Sequence, residues 1–168
     1  VLLIGVAATL EPEYGPARAV LIGALVFSLA GDVFLMLPDR KRWFVFGLGS
    51  FLLAHLCFIP VLFMEGTTLV PIVIGLVVVL GGAATVGLRV MASVKQDRPK
   101  LLLPVQAYMG VLGLMSIVAI GTGRPAAAIG GALFFASDST LAWNEFVAPV
   151  PYGRIIVHVT YHLAQVGL

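Results

Sequence analysis

Five ionisable side chains stand inside long apolar runs of this chain: Asp32, His55, Asp138, His158 and His162. Each such group costs roughly 2.5 to 3.5 kcal/mol or more at the centre of a hydrocarbon layer, so it is retained for chemistry or for a specific partner. Asp32 precedes Pro38 by six residues, and Asp138 precedes Asn144 by six. At the rise of an α-helix, that spacing puts both carboxyls about 9 Å from the matching ends of their helices. Two carboxyls sharing a low-dielectric site do not both ionise readily, so one can give a proton while the other takes one, as in general acid/base catalysis. Ala30-Gly31 and Ala136-Ser137 precede the two acids, and small residues let helix backbones approach closely enough to bring such groups together. The plainer alternative is that each acid bonds across to a tyrosine, glutamine or histidine and holds helices in register.

Other polar residues fall at the same depth. His158, Tyr161, His162 and Gln165 lie on one helix, and Gln106 and Tyr108 on another. His55 is deeper, near mid-span, and reads first as a satisfied interior histidine and second as an orienting or substrate-contacting group. The i,i+4 pair His158 and His162 fits a metal by spacing, but no HExxH pattern accompanies it, so both read as packed or hydrogen-bonded side chains and no metal is expected. Cys57 is the only cysteine and lies in an apolar run; it reads as a small core hydrophobe, with no disulfide framework.

The elements that must position these groups follow from composition. Of 168 residues, 60% are hydrophobic and 11% charged, with a mean hydropathy of +1.08. Ordinary soluble domains carry about 25% charge, so the apolar surplus must face lipid. A net charge of +2 is too small and scattered for a nucleic-acid partner. Apolar runs predict a partial span over Val1–Leu10 and spans over Ala19–Leu37, Trp43–Met64, Leu69–Leu88, Leu101–Ile120, Ala126–Trp143 and Ile155–Leu168. Charges, prolines and glycines break them at 11–16, 38–42, 65–68, 89–100, 121–125 and 144–154. No segment alternates like a barrel strand, so the expected fold is all-α: a single polytopic transmembrane helical bundle over 1–168.

Arg40, Lys41, Arg42, Arg89, Lys95, Arg98, Lys100 and Arg154 fall in alternate loops, and the opposite loops hold only Arg18 and Arg124. The positive-inside tendency makes the richer side cytoplasmic, with the two acids nearer that side. Arg40-Lys41-Arg42 then serves as topological charge, and Trp43 and Trp143 as interfacial belt residues. Leu29-Ala30-Gly31-Asp32 is matched by Phe135-Ala136-Ser137-Asp138, and Phe51-Leu52-Leu53-Ala54-His55 by Tyr161-His162-Leu163-Ala164-Gln165. Two matched helix pairs in one orientation suggest a parallel four-plus-four repeat. Eight spans are then expected for the whole protein, with about one and a half trimmed before Val1.

The ordered motifs Leu29-Ala30-Gly31-Asp32 running to Leu37-Pro38, Phe51 to His55, Pro104-Val105-Gln106-Ala107-Tyr108-Met109, Ser137-Asp138-Ser139 and Tyr161 to Gln165 resemble the YhhN-like lysoplasmalogenases, which are eight-span membrane proteins. The Lys-Pro pair expected near the start of that family's second helix is absent here. The resemblance implies hydrolysis of the vinyl ether bond of a lysoplasmalogen, giving a fatty aldehyde and glycerophosphoethanolamine or glycerophosphocholine, in a bacterial plasma membrane and without a metal or organic cofactor. In that reading Asp32 and Asp138 are the acid and base, in an unassigned order. His55, Tyr108, Tyr161, Gln165, His158 and His162 bind or orient the substrate. Two rivals share the embedded acids. An intramembrane aspartyl protease is disfavoured because Tyr-Asp and Pro-Ala-Leu do not occur, whereas a proton-coupled lipid or solute transporter fits parallel repeats equally well.

Overall fold

Proline, glycine and charge divide the apolar sequence into helices. The computed structural model describes residues 2–9 and 15–168, apart from the side chains of Arg40 and Lys41. The expected partial span and the breaker after it therefore lie partly outside the described residues. Helices α1 (Leu2–Thr9), α2 (Gly15–Met36), α3 (Arg40–Met64), α4 (Leu69–Gly82), α5 (Leu88–Asp97), α6 (Leu102–Gly121), α7 (Pro125–Phe146) and α8 (Gly153–Gly167) follow in order. A π-helical turn, Ala83–Gly87, joins α4 to α5, and a 3₁₀ turn, Pro99–Leu101, precedes α6. The described residues form no strand.

Close contacts divide the chain into two units, Val1–Glu65 and Gly66–Leu168. In the first, α2 and α3 form a hairpin. Pro38 disfavours helical backbone in the residue before it and ends α2, and Asp39 caps α3 by accepting from the Arg42 backbone N–H at 3.4 Å. The contact between the two helices is made at glycine. A Cβ added to Gly31 would lie 2.6 Å from the Phe51 ring, and one added to Gly47 would lie 2.9 Å from Leu35. The inward stripe of α3 is Phe51, Ala54, His55, Phe58 and Leu62, all buried, at the i, i+3/4, i+7 spacing of one helix face. Phe34, Trp43 and Phe46 cluster near the turn, with ring centroids 5.5 to 5.8 Å apart.

The second unit is built from α4 to α8, again through small residues. The α4/α6 contact uses Gly75, whose added Cβ would lie 3.1 Å from the Ile117 backbone, and Gly113, 3.0 Å from Val79. Gly130 of α7 and Gly167 of α8 face each other so closely that a Cβ on Gly167 would lie 2.6 Å from the Ala126 carbonyl oxygen. Such backbone approach is how apolar helices gain packing where lipid removes the ordinary hydrophobic drive. Gly123, with φ of +69°, supplies the left-handed residue after the end of α6.

The segment 89–100, expected as a loop, is largely helical, because α5 runs to Asp97. Val90 and Val94 are fully buried while Arg89, Lys95, Gln96 and Asp97 are exposed. This is an amphipathic turn in which charge marks the outer face and does not end the helix. Among the described residues, four helical stretches are long and apolar enough to cross a membrane: Pro16–Met36, Arg42–Met64, Leu69–Asp97 and Pro99–Gly121. Their outward faces stay apolar: Leu69, Val70, Ile74, Val77 and Leu80 are all exposed. The α7 helix, with 22 residues, and α8, with 15, carry most of the polar groups of the second unit.

Candidate functional site

Each unit holds its own cluster of polar groups. In the second unit the site starts from α7. Pro125 at its first turn is preorganised for a helix start, and Ala127, Gly130, Gly131, Phe134, Ser137 and Asp138 form its buried stripe. Ser137 is fully buried and donates to the Val157 carbonyl of α8 at 3.2 Å. That bond ties α7 to α8 beside the acid. Asp138 is 8% exposed, and its Oδ2 accepts a hydrogen bond from the phenol of Tyr108 on α6.

Tyr161 of α8 extends this cluster. It packs edge-on against Phe134, one turn before Asp138 on α7, at 5.5 Å and 84°, and its hydroxyl accepts from Gln165 Nε2 at 2.7 Å. Residues i and i+4 share a helix face, so Tyr161 and Gln165 point to the same side. The structure thus brings together Tyr108, Asp138, Tyr161 and Gln165 of the residues expected from sequence. His158 and His162 lie on the exposed face of α8, with ring centroids 6.4 Å apart. Their Nδ1–H groups are donated to their own helix, to the carbonyls of Arg154 at 2.7 Å and His158 at 2.8 Å. Gln106 is exposed as well.

In the first unit, Asp32 is half-buried on α2, next to the Gly31 that receives the Phe51 ring. The carbonyl of Phe51 accepts from Nδ1 of the fully buried His55 at 2.5 Å. A carbonyl can only accept, so the bond places a proton on Nδ1. The Phe51 contact therefore positions both the acid-bearing turn and the imidazole.

Three further buried groups escaped the sequence reading. Ser28, one turn before Asp32 on α2, and Ser116 on α6 have buried hydroxyls with no hydrogen-bond partner among the described residues. Phe134 fixes the Tyr161 ring. The serines carried a readable signal, a hydroxyl in an apolar run, whereas Phe134 was one of ten phenylalanines and nothing marked it out.

A helical protein of membrane-spanning proportions, holding a buried carboxyl bonded to a phenol, belongs to the class of polytopic proteins with acid groups embedded in their helices. More specifically, the chain belongs to the YhhN family, whose model matches residues 1–168. It is 36% identical over 155 residues to the lysoplasmalogenase TMEM86B of Sus scrofa, covering 90% of this chain and 62% of that protein. It is 35% identical over 148 residues to the lysoplasmalogenase of Mycobacterium tuberculosis, covering 86% and 56%, and 33% identical over 164 residues to human lysoplasmalogenase TMEM86B, covering 97% and 67%. The chain thus spans about three fifths of the length of the first of these relatives. No solved structure matches it.

Proposed function

We propose that this chain is the catalytic part of a membrane-embedded lysoplasmalogenase, which hydrolyses the vinyl ether bond of a lysoplasmalogen to a fatty aldehyde and glycerophosphoethanolamine or glycerophosphocholine. The observation that carries the reading is the hydrogen bond from Tyr108 to the buried Asp138, in a chain similar along most of its length to proteins named lysoplasmalogenase.

The chemistry sets the requirements. A proton is delivered to the β-carbon of the enol ether, leaving an oxocarbenium ion. Water adds to the adjacent carbon and gives up a proton, forming a hemiacetal. The hemiacetal then collapses to the aldehyde and releases the glycerol oxygen with a proton, so one water is consumed and no redox change occurs. The enzyme must supply one proton donor and one carboxylate. Asp138, accepting from Tyr108, is arranged to stabilise the developing cation and take the proton from water. Asp32, the other acid within an apolar span, supplies the proton in this scheme. It stands four residues before the end of α2, where Asp138 is eight before the end of α7, because α7 continues past Asn144 to Phe146. Gln165 and Tyr161 orient the water or the ether oxygen, and His55 is assigned an orienting role within its own unit. No metal or organic cofactor enters this scheme.

The substrate is a single-chain lipid whose head group remains near water while its ether reaches the acids. With eight of ten basic residues clustered at alternate ends of the apolar runs, the acids lie nearer the cytoplasmic face of a bacterial plasma membrane. Aldehyde release from a 1-alkenyl lysophospholipid by the purified full-length protein in detergent tests the proposal. Turnover supports it, and a folded protein with no turnover counts against it.

A further inference from the structure

Beyond Asp138, the same stripe of α7 continues to a second charged feature that the reaction does not use. Glu145 follows Asp138 by seven positions, nearly two helical turns, so it lies on the same face about 10 Å further along the axis. Its Oε1 accepts from Nη1 of Arg98 at 2.8 Å, with side-chain exposures of 18% for Glu145 and 37% for Arg98. The Arg98 guanidinium carbon also lies over the Phe146 ring, 5.6 Å from its centroid. Stacking against a ring uses the face of a guanidinium and leaves its in-plane N–H groups for an oxyanion. Of its five donors, only Nη1 is committed to a side chain among the described residues.

We infer that Arg98 and Glu145 form a head-group seat for a zwitterionic phosphodiester, in which Arg98 donates to the phosphate and Glu145 meets the ammonium. The inference rests on the proposed function and deepens it. A lysophospholipid with its vinyl ether at Asp138 carries its phosphate at the far end of a short glycerol bridge, and that extended bridge spans a gap of this size. Glu145 stands on α7 and Arg98 just after the end of α5, and together they offer the two charges that complement those of the head group. An ion pair of opposite polarity would meet the same head group with like charges.

The test measures equilibrium binding to the full-length protein in dodecyl maltoside, comparing 1-O-alkyl-glycerophosphoethanolamine with 1-O-alkylglycerol. The saturated ether cannot be hydrolysed, so binding is read without turnover. The wild type is expected to bind the phosphorylated lipid about tenfold more tightly. Arg98→Gln and Glu145→Gln should each erase most of that preference while leaving alkylglycerol affinity unchanged. The swapped variant Arg98→Glu with Glu145→Arg keeps opposite charges but exchanges their places between the end of α5 and α7, and the preference should stay lost. Restored preference in the swap would mean that the pair is only an internal bridge and would overturn the inference, as would a wild type without preference. Equal competition by diacyl phosphatidylethanolamine would assign the seat to bulk lipid and overturn it too. If the variants fail to fold, the wild type decides: excess phosphoethanolamine must displace the phosphorylated lipid and spare alkylglycerol, and any other pattern contradicts the seat. Intact preference without aldehyde release would sink the proposed reaction and leave the seat standing.

Discussion

The phenol of Tyr108 on α6 donates to the carboxyl of Asp138 on α7, and both residues are 8% exposed. Two helices of the second unit are thereby joined at an acid that lipid alone would not tolerate. A buried acceptor is costly to leave unmet, and bonds to charged groups contribute roughly 1.5 to 3 kcal/mol.

Tyr108→Phe removes only the donor and keeps the ring. The expected result is a fall in kcat for aldehyde release of roughly tenfold to a hundredfold, with little change in KM, because the lost bond acts on the reacting carboxyl more than on lipid binding. Steady-state kinetics on a 1-alkenyl lysolipid check this. An unchanged kcat would remove Tyr108 from the catalytic scheme.

The glycine contacts predict stability. Gly130→Ala sets a methyl group 2.9 Å from the Ala164 carbonyl oxygen and 3.0 Å from the Gly167 backbone, so α7 and α8 must part. Overpacking of this kind costs about 1 to 3 kcal/mol. Gly110→Ala on α6 meets nothing within 4 Å and should be neutral or stabilising by up to about 1 kcal/mol through helix propensity. Thermal unfolding in detergent should lower Tm for the first variant and hold or raise it for the second.

His158 and His162 provide a contrast within α8. Both side chains are exposed and bonded through Nδ1 to their own helix, and the His162 ring stands edge-on to Tyr161 at 5.2 Å. Replacing both with glutamine is expected to leave kcat within about threefold of wild type, less than one hydrogen bond's worth. A loss comparable to that of Tyr108→Phe would place these imidazoles at the reacting lipid.

Much of this was legible before any fold was known. The apolar runs gave the long helices, and the depth of Asp138, Tyr108 and Tyr161 marked them as neighbours. The continuation through α5 was hidden because Arg89 and Lys95 resemble loop charge, and only the fully buried Val90 and Val94 expose the amphipathic turn. Which apolar residues of α8 turn inward was also hidden. Tyr161 and Ala164 are buried while Leu163 and Val166 are exposed, and packing against Phe134 is what marks Tyr161 as inward. The Arg98–Glu145 pair was out of reach because its partners are 47 positions apart in sequence.

The central claim is that Asp138 and Asp32 carry the reaction. Aldehyde release from a 1-alkenyl lysophosphatidylethanolamine should be measured for wild type, Asp138→Asn and Asp32→Asn at equal amounts of folded protein. Asparagine keeps the shape of each side chain and removes its proton chemistry. The account predicts that each substitution lowers kcat by about a hundredfold or more, with binding of the saturated ether analogue retained. Full turnover in either variant would contradict it.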